Sequence, residues 1–407
     1  MDMMTAPADP APKAGLFTET LDVIAQQVGD APLRAVIGRL TDVSGGGLQT
    51  TLSDVAIGET CRLRDRTSRT DVLGQVIGIR NGYAILAPIG TTEGLSPGTD
   101  VIPLREPFSF WMSDALVGEV LDGMGQPVRE RSVAGPGLNR CRLDAPAPGL
   151  FERRLVDKTL ETGIRAIDGM LTLGEGQRVG VFGAPGSGKT SLLGSLARNA
   201  DADVVVLGLI GERGRELGEF LERQLPPESR KNCVIVASTS DRPAMERIIG
   251  AQVATRVAEY FRDRGKKVLL LFDSVTRYAR ALREVGLAAG EPAVRRGFTP
   301  SVYAELPKII ERCGNTHAGS ITAIYTVLTE NDGVGDPIAE EVRSLTDGHI
   351  TLSTELAQSG HYPAIDILQS TSRIMNDLVD ADHRRAAGDI RALMAKYAEI
   401  ELLVQVG

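Results

Sequence analysis

A glycine-rich stretch that ends in a lysine and a threonine is the part of this chain best equipped for chemistry. It fits the pattern G-x4-G-K-T and consists of Gly183, Ala184, Pro185, Gly186, Ser187, Gly188, Lys189 and Thr190. Glycines here let the backbone turn its N–H groups towards a phosphate, while the lysine reaches the β- and γ-phosphates and the threonine hydroxyl binds Mg²⁺. We therefore predict that residues 183–191, including Ser191, bind a nucleoside triphosphate with Mg²⁺.

The segments around this loop support that prediction. Residues 178–182 (RVGVF) are typical of a buried strand, and residues 191–197 are typical of the start of a helix. This order places the phosphate at a helix N-terminus, where unpaired N–H groups favour an anion. Further along, residues 267–273 form an apolar strand that ends in Asp273, the Walker B pattern of a Mg²⁺ ligand. Many strands end in aspartate, so the pattern alone is weak. A strand of this kind that follows a P-loop further along the chain is strong evidence for a Mg²⁺ ligand.

Hydrolysis also requires a group that orients water, and Glu212 is the candidate. It lies in the charged segment 211–216, directly after the apolar strand 204–209. Ligand sites in parallel sheets lie at the carboxyl ends of the strands, so we expect Glu212 beside the triphosphate. Taken alone, the segment would more often be a solvated loop. The P-loop and Asp273 favour the catalytic interpretation.

The pattern of apolar residues divides the chain into regions of different structure. Residues 33–104 contain short apolar segments separated by turn residues, which predicts a compact six-stranded β-barrel. From residue 105 to residue 370, apolar strands alternate with amphipathic helices, which predicts an α/β domain with a mostly parallel sheet. The predicted strands lie near 179–182, 204–209, 233–238 and 268–272, and the predicted helices near 189–199, 215–223 and 243–264.

The two ends of the chain carry helical patterns. Residues 1–32 predict a flexible N-terminus with a short amphipathic helix, whose apolar stripe could dock onto this protein, a partner helix or a lipid surface. That stripe consists of Phe17, Leu21, Ile24 and Val28. Residues 371–407 predict a C-terminal helical domain that we expect to be truncated, because the chain stops within or just after its helix. Its apolar stripe consists of Ile390, Leu393, Met394, Tyr397, Ile400 and Leu403.

The composition limits the classes of function. The chain has 407 residues, which is enough for two or three domains. Of these residues, 42% are hydrophobic and 24% are charged. Its net charge of −8 disfavours a general affinity for nucleic acid. No apolar run approaches the roughly 18 residues that span a bilayer, and residues 1–13 lack the pattern of a signal peptide. We expect a cytoplasmic protein, or one held at a membrane face by its partners.

Several segments together resemble the catalytic subunits of rotary ATPases, and most closely the type III protein-export ATPases of injectisomes and flagella. Besides the P-loop and residues 211–216, they are GEVLDGMGQP at 118–127, TGIRAIDG at 162–169, DSVTRY at 273–278, GLAAGEP at 286–292, DGHI at 347–350 and HYPAID at 361–366. The resemblance covers roughly residues 20 to 407. It implies an N-terminal β-barrel, a RecA-like P-loop ATPase domain and a C-terminal helical domain.

The resemblance also implies roles for individual residues. Lys189 would bind phosphate, and Glu212 would be the catalytic glutamate that distinguishes catalytic from non-catalytic subunits. Arg213 and Arg277 would surround that glutamate. Tyr362 would stack on adenine, although ordinary core packing is an alternative. Arg373 would be an arginine finger contributed to a neighbour's site, although a surface cation is an alternative.

An export ATPase of this family implies particular ligands and partners. They are ATP and Mg²⁺, a homohexameric ring, a stator or regulator, a central stalk protein, secretion chaperones and protein cargo. The ring would lie at the cytoplasmic face of the inner membrane, and a loop near residues 283–287 could line its pore. The motifs do not separate the flagellar from the injectisome system, although residues 241–244 and 295–298 slightly favour the injectisome.

Two other functions remain open at this point. A nucleic-acid-translocating hexameric ATPase shares the core fold and would need a basic N-terminal domain with exposed aromatic residues. Residues 33–104 instead carry seven arginines against seven acids, with Tyr83 as their only aromatic residue. The cluster Arg62, Arg64, Arg66 and Arg69 is the one feature in its favour. A non-catalytic nucleotide-binding subunit is the other alternative, and Glu212 argues against it.

Overall fold

A closed β-barrel forms the first unit of the described part of the chain. A computed structural model describes residues 37–44, 47–129, 137–329 and 335–406, so the apolar stripe expected at 17–28 lies outside the described residues. The barrel strands are β1 (Gly38–Ser44), β2 (Gly47–Thr50), β3 (Glu59–Arg64), β4 (Asp71–Arg80), β5 (Tyr83–Ile89) and β6 (Asp100–Pro107). They pair antiparallel in the order β1-β2-β5-β4-β3-β6, which confirms the predicted six-stranded barrel.

Local sequence explains the barrel's strands and turns. Strands β4 and β5 are joined by the two residues Asn81 and Gly82, both with positive φ (52° and 81°). Such a turn matches the twist of a hairpin and favours this Asn-Gly pair. The barrel interior is filled by fully buried leucines, among them Leu48, Leu63 and Leu86.

A large, mostly parallel sheet forms the centre of the molecule. Five short strands precede β12 in the chain, and of these β8 belongs to the central sheet: β7 (Ser109–Met112), β8 (Val120–Asp122), β9 (Asn139–Arg142), β10 (Thr159–Leu160) and β11 (Leu173–Gly174). The later strands are β12 (Arg178–Gly183), β13 (Val204–Ile210), β14 (Cys233–Ser238), β15 (Lys267–Asp273), β16 (Gly314–Asn315), β17 (Ser320–Leu328), β18 (Gly348–Leu352) and β19 (Ile365–Ser372). The sheet order is β19-β18-β12-β17-β15-β13-β14-β8, with β16 beside β17. Only β16 and β19 pair antiparallel within this sheet as described.

The helices connect these strands as the sequence predicted. They are α1 (Arg165–Met170), α2 (Lys189–Asn199), α3 (Gly214–Glu219), α4 (Ala244–Arg262), α5 (Val275–Ala288), α6 (Pro300–Glu311), α7 (Pro337–Leu345), α8 (Thr354–Gln358), α9 (Met375–Leu378) and α10 (Ala381–Val406). The helix expected at 215–223 is α3 continued by one π-helical turn, Phe220–Gln224. The expectation of a pore loop near 283–287 is wrong as to structure, because these residues lie within α5.

Both faces of the central sheet are covered by helices. The seven residues of β13 are all buried, which is typical of a parallel strand between two helical layers. Val204 and Val206 pack on the side of α4, whereas Val205 and Leu207 pack on the side of α2. Side chains alternate along a strand, so a continuous apolar run supplies both layers of core at once.

The C-terminal helix α10 is attached to this domain at its first half. Arg391 donates from Nη1 to the carbonyl of Ile367 (2.8 Å) and from Nη2 to that of Met170 (3.0 Å). Five members of its predicted stripe are exposed, by 37–70% of their surface, and the side chain of Leu403 lies outside the described part. None of the described helices combines the length and the apolar character that a membrane crossing requires.

Candidate active site

The P-loop lies at the carboxyl end of β12 and leads directly into α2. Gly186 and Gly188 have φ of 85° and 89°, a backbone conformation that side chains with a Cβ rarely adopt. A Cβ on Gly183 would lie 2.5 Å from Ser187 Oγ, so the loop can curl this tightly only with glycine there. Ser187 Oγ closes the curl by donating a hydrogen bond to the carbonyl of Ala184 (2.8 Å). The predicted phosphate-binding loop is thus formed by the backbone at residues 183–188.

Lys189 is a buried cation at the inner side of this loop. Its Nζ donates hydrogen bonds to the carbonyls of Gly183 and Ala184, each at 2.6 Å. Burial lowers the pKa of Lys189 to about 8, against the opposing influence of the Asp273 and Glu212 carboxylates. A desolvated ammonium group is a strong electrostatic partner for a phosphate, because little water competes for it.

Asp273 lies at the end of β15 and is buried beside the P-loop. Burial raises the pKa of its carboxyl group, and a hydrogen bond from Thr326 Oγ1 and the charge of Lys189 oppose that rise. Asp273, Thr190 and Glu212 line one cleft of about 310 Å³. A hydroxyl and a carboxylate at this place suit Mg²⁺, which prefers one or two protein oxygens together with phosphate oxygens and water. Within the described parts of the chain, no three His, Cys, Asp or Glu side chains form a metal site by themselves.

Glu212 forms a two-pronged ion pair with Arg277. Glu212 Oε1 lies 2.9 Å from Arg277 Nε, and Oε2 accepts a hydrogen bond from Nη2 at 3.1 Å. Gly211, with φ of 73°, makes room for this pair, because a Cβ there would lie 3.0 Å from the Arg277 side chain. Burial, and next the charge of Asp273, raise the pKa of Glu212 to about 7, while Arg277 opposes the shift. A carboxylate with a pKa near neutrality is suited to exchange a proton with water.

Two polar residues of this region were missed by the sequence reasoning. Glu216, on α3, lines the same cleft, contributes to the raised pKa of Glu212 and binds Arg213 at 3.0 Å. The Arg213 side chain itself is mostly exposed. Thr326 supports Asp273 from the neighbouring strand β17. No local pattern marks Thr326, because β17 also contains Ser320 and Thr322, and its place follows from the register in which the preceding residue Tyr325 lies opposite Phe272.

Tyr362 lies against the P-loop with its ring half in solvent. A Cβ on Gly188 would lie 3.2 Å from Tyr362 Cε1. Tyr362 keeps 59% of its surface exposed. The alternative that Tyr362 is an ordinary core residue is therefore excluded by its exposure. An exposed aromatic face beside a phosphate-binding loop is available for stacking on a base.

Arg373 lies at the other end of the sheet from the P-loop of its own chain. Its N–H donates to the carbonyl of Asp347 (3.0 Å), and the N–H of Asp347 donates to the carbonyl of Arg178, the first residue of β12. The P-loop begins at Gly183, the last residue of that strand, and five residues at roughly 3.3 Å each span about 16 Å. Arg373 thus lies at the edge of the sheet opposite its own cleft, where its exposed side chain donates from Nη2 to the carbonyl of Arg343 (3.3 Å).

Comparison with known proteins identifies the family. The nucleotide-binding domain model of the ATP synthase alpha/beta family matches residues 163–372, and its beta-barrel domain model matches residues 34–105. The chain belongs to this family. A type 3 secretion system ATPase of Xanthomonas euvesicatoria is 50% identical over 374 residues, 91% of this chain and 84% of that protein. A flagellum-specific ATP synthase of Pseudomonas aeruginosa is 43% identical over 399 residues, 96% of this chain and 86% of that protein.

Solved structures agree with this assignment. The assembled ATPase EscN of the enteropathogenic E. coli type III secretion system has a TM-score of 0.85 and 47% identity, covering 91% of this chain and 89% of that one. EscN in complex with its central stalk EscO has a TM-score of 0.82 and 46% identity, covering 91% and 88%. The resemblance to type III export ATPases is confirmed, and the protein is an ATP-hydrolysing enzyme of that class.

Proposed function

We propose that Glu212 orients and deprotonates the water that attacks the γ-phosphate of ATP. Lys189 and the P-loop N–H groups bind the triphosphate, while Thr190 and Asp273 hold Mg²⁺. When bound, Mg²⁺ neutralises charge on the phosphate oxygens. The convergence of Glu212, Thr190 and Asp273 on one cleft carries this proposal. The pKa of about 7 for Glu212 adds to it, because a weaker acid is a stronger base.

The neighbouring side chains have positioning roles in this proposal. Arg277 fixes both oxygens of Glu212 and keeps the carboxylate turned into the cleft. Arg213 holds Glu216 at the cleft's rim, and Tyr362 stacks on the adenine of ATP. The ring of Tyr362 next to Gly188 supports this role, because the adenine of a nucleotide extends beyond the phosphates that the loop binds.

We further propose that Arg373 acts on the nucleotide of a neighbouring subunit in a homohexamer. The separation of Arg373 from its own P-loop along β12 supports an action in trans, as does the assembled state of the similar EscN. An arginine finger contributes about 10³–10⁵ in rate, so the isolated chain would be nearly inactive. The ring would contact a central stalk, as EscN contacts EscO, and a stator. We place it at the cytoplasmic face of the inner membrane, where it would release chaperones and unfold cargo for export, in an injectisome rather than a flagellum.

Activity against protein concentration tests this proposal. For the wild type we expect specific ATPase activity to rise steeply with concentration, and Arg373→Ala to remove the activity at every concentration. Arg385→Ala, which removes another exposed arginine, is the matched control and should behave as the wild type. Activity that is flat with concentration and indifferent to Arg373 would contradict the proposal.

A mixing experiment separates action in trans from a structural role of Arg373. Lys189→Ala removes the phosphate-binding cation but leaves Arg373 intact. An equal mixture of Lys189→Ala and Arg373→Ala protein should regain about a quarter of wild-type activity, because one subunit pair in four combines an intact cleft with an intact finger in a closed ring. A mixture no more active than its two components would exclude complementation between subunits.

The barrel offers little support for the nucleic-acid alternative. Arg62 and Arg64 form ion pairs with Asp71 at 3.1 and 3.3 Å, and Arg66 pairs with Asp100 at 2.8 Å. Three of the four arginines of this cluster are therefore held in ion pairs within the barrel, by two carboxylates. A surface for a polyphosphate backbone would need unbalanced cations.

A further inference from the structure

Three large apolar side chains in the loop before β10 are almost fully exposed. Leu150, Phe151 and Leu155 keep 80%, 91% and 88% of their surface in solvent, and we refer to them as the apolar patch. A single exposed apolar residue is ordinary on a protein surface. Three large ones within six residues of one loop are unusual, because large exposed apolar areas are typical of interaction sites.

The loop that carries the apolar patch is firmly attached to the ATPase domain. Arg153 Nη2 donates to the carbonyl of Glu311 (2.7 Å) and to its Oε2 (3.0 Å). The N–H of Arg154 donates to the carbonyl of Asn315 (3.0 Å), and Asn315 Nδ2 donates to the carbonyl of Leu155 (2.9 Å). The polar groups of the loop thus bind inward while the patch side chains remain outside. A fixed loop loses little conformational entropy when it docks.

The apolar patch is connected to the face that carries Arg373. Glu311 binds Arg153 through one carboxylate oxygen and Arg178 Nη1 through the other, at 2.6 Å. Arg178 in turn binds the carboxylate of Asp347, whose carbonyl accepts the N–H of Arg373. A continuous chain of contacts therefore links the patch loop to the residue that faces a neighbour in the proposed ring.

Direct packing makes the same connection. A Cβ built on Gly174 would lie 2.2 Å from Val156 Cγ1 and 3.1 Å from Ile374 Cδ1. The side chains next in sequence to Leu155 and to Arg373 therefore meet over this glycine. The segment that carries the apolar patch and the segment that carries Arg373 therefore pack against each other at this glycine.

We infer that the apolar patch docks onto a second copy of this chain, beside the nucleotide site that receives Arg373. This inference rests on the proposed function, in which the Arg373 face meets a neighbouring subunit. Burial of the patch would add an apolar anchor beside the charged side chain of Arg373. The arginines of the loop do not favour an anionic membrane instead, because Arg153 pairs with Glu311 and Arg154 with Asp157.

Substitution of the patch tests the inference in the full-length chain. Phe151→Ser and Leu155→Ser should each raise the protein concentration at half-maximal specific ATPase activity by about tenfold or more, because each variant loses the burial of a large apolar side chain upon assembly. The activity at saturating protein concentration should approach that of the wild type. Ile57→Ser removes a comparably exposed apolar residue of the barrel and is the matched control, with no expected shift. A Phe151→Ser concentration curve that coincides with the wild type would overturn the inference.

Photocrosslinking provides a second, independent readout. With the photoreactive amino acid p-benzoylphenylalanine in place of Phe151, irradiation in the presence of Mg-ATP should join two copies of the chain, and peptide mapping should locate the bond near the partner's P-loop face. Assembled protein without such a bond would overturn the inference. If Arg373→Ala stays fully active, the proposed function fails. If Arg373→Ala is inactive but the patch variants assemble normally, only the assignment of the patch fails.

Discussion

The substitution Glu212→Gln should remove turnover and, at alkaline pH, stabilise the folded chain. Glutamine keeps the shape of the side chain and a hydrogen-bond acceptor for Arg277, but it cannot take a proton from water. Loss of a general base lowers the rate by about 10²–10⁴. Binding of ATP should persist, because Lys189 and the P-loop backbone are unchanged.

The stability effect follows from the raised pKa. The pKa of Glu212 rises from 4.5 to about 7, which corresponds to about 3 kcal/mol at about 1.4 kcal/mol per unit. The carboxylate faces an open cleft, and solvent screening reduces this value to about 1–2 kcal/mol. Between pH 4.5 and about 7 the unfolded chain releases the proton of Glu212 while the folded chain retains it, so the wild type loses stability as the pH rises. Glutamine has no proton to lose and avoids this loss.

Urea unfolding at pH 5 and pH 8, at one low protein concentration, measures the difference. We expect Glu212→Gln to be more stable than the wild type by about 1–2 kcal/mol at pH 8 and by much less at pH 5. Glu219→Gln changes an exposed carboxylate of the same cleft and should alter neither turnover nor the pH dependence. Turnover of Glu212→Gln above about a tenth of the wild type would refute the assignment of the base. An equal stability difference at both pH values would refute the argument from burial.

Three further substitutions test separate parts of the structure. Tyr362→Ala should raise the KM for ATP by about tenfold with little change in kcat, because base stacking contributes about 1–3 kcal/mol, whereas Tyr362→Phe should resemble the wild type in steady-state kinetics. Thr326→Val removes the hydrogen bond to Asp273, so the pKa of Asp273 should rise further. The Mg²⁺ concentration for half-maximal activity should then increase severalfold, and a Mg²⁺ titration at fixed ATP would show or exclude this increase. Glu259→Ala leaves the buried Arg312 without its two hydrogen bonds of 2.7 Å and should destabilise the fold by about 3–5 kcal/mol, a loss that denaturant unfolding would detect and that a change below about 1 kcal/mol would contradict.

The elements around the site could be predicted because each depends on a pattern of residues that are close together in the chain. Strand β13 is a continuous run of seven apolar residues, and such a run is buried on both faces wherever it occurs in a parallel sheet. The P-loop follows from the glycines that its backbone requires, and Asp273 follows from its place at the end of an apolar strand. These features depend on residues close together in the chain.

The remaining features depend on contacts between distant residues. Thr326 supports Asp273 only because β17 lies beside β15 in the sheet, which no local pattern specifies. The glycine at 286 suggests a break near residues 283–287, yet these residues continue the helical spacing of α5, because Gly286 is accommodated against Thr299 and does not end the helix. The apolar stripe on α10 also depends on distant contacts. Helical periodicity predicts that its apolar residues lie on one face, but it does not predict which part of the protein or which partner covers that face.

The geometry of the central sheet separates Arg373 from the nucleotide cleft of its own chain. In a parallel sheet the carboxyl ends of the strands lie at one edge, so the P-loop, Glu212 and Asp273 gather there from three different strands. The strand β19 runs against this direction and carries the chain back to the amino end of β12, where Arg373 follows Ser372. A single antiparallel strand thus places Arg373 at the edge of the sheet opposite the P-loop. In the proposed action in trans, each copy would present a cleft at one end and Arg373 at the other, and head-to-tail contacts between such copies would close into a ring.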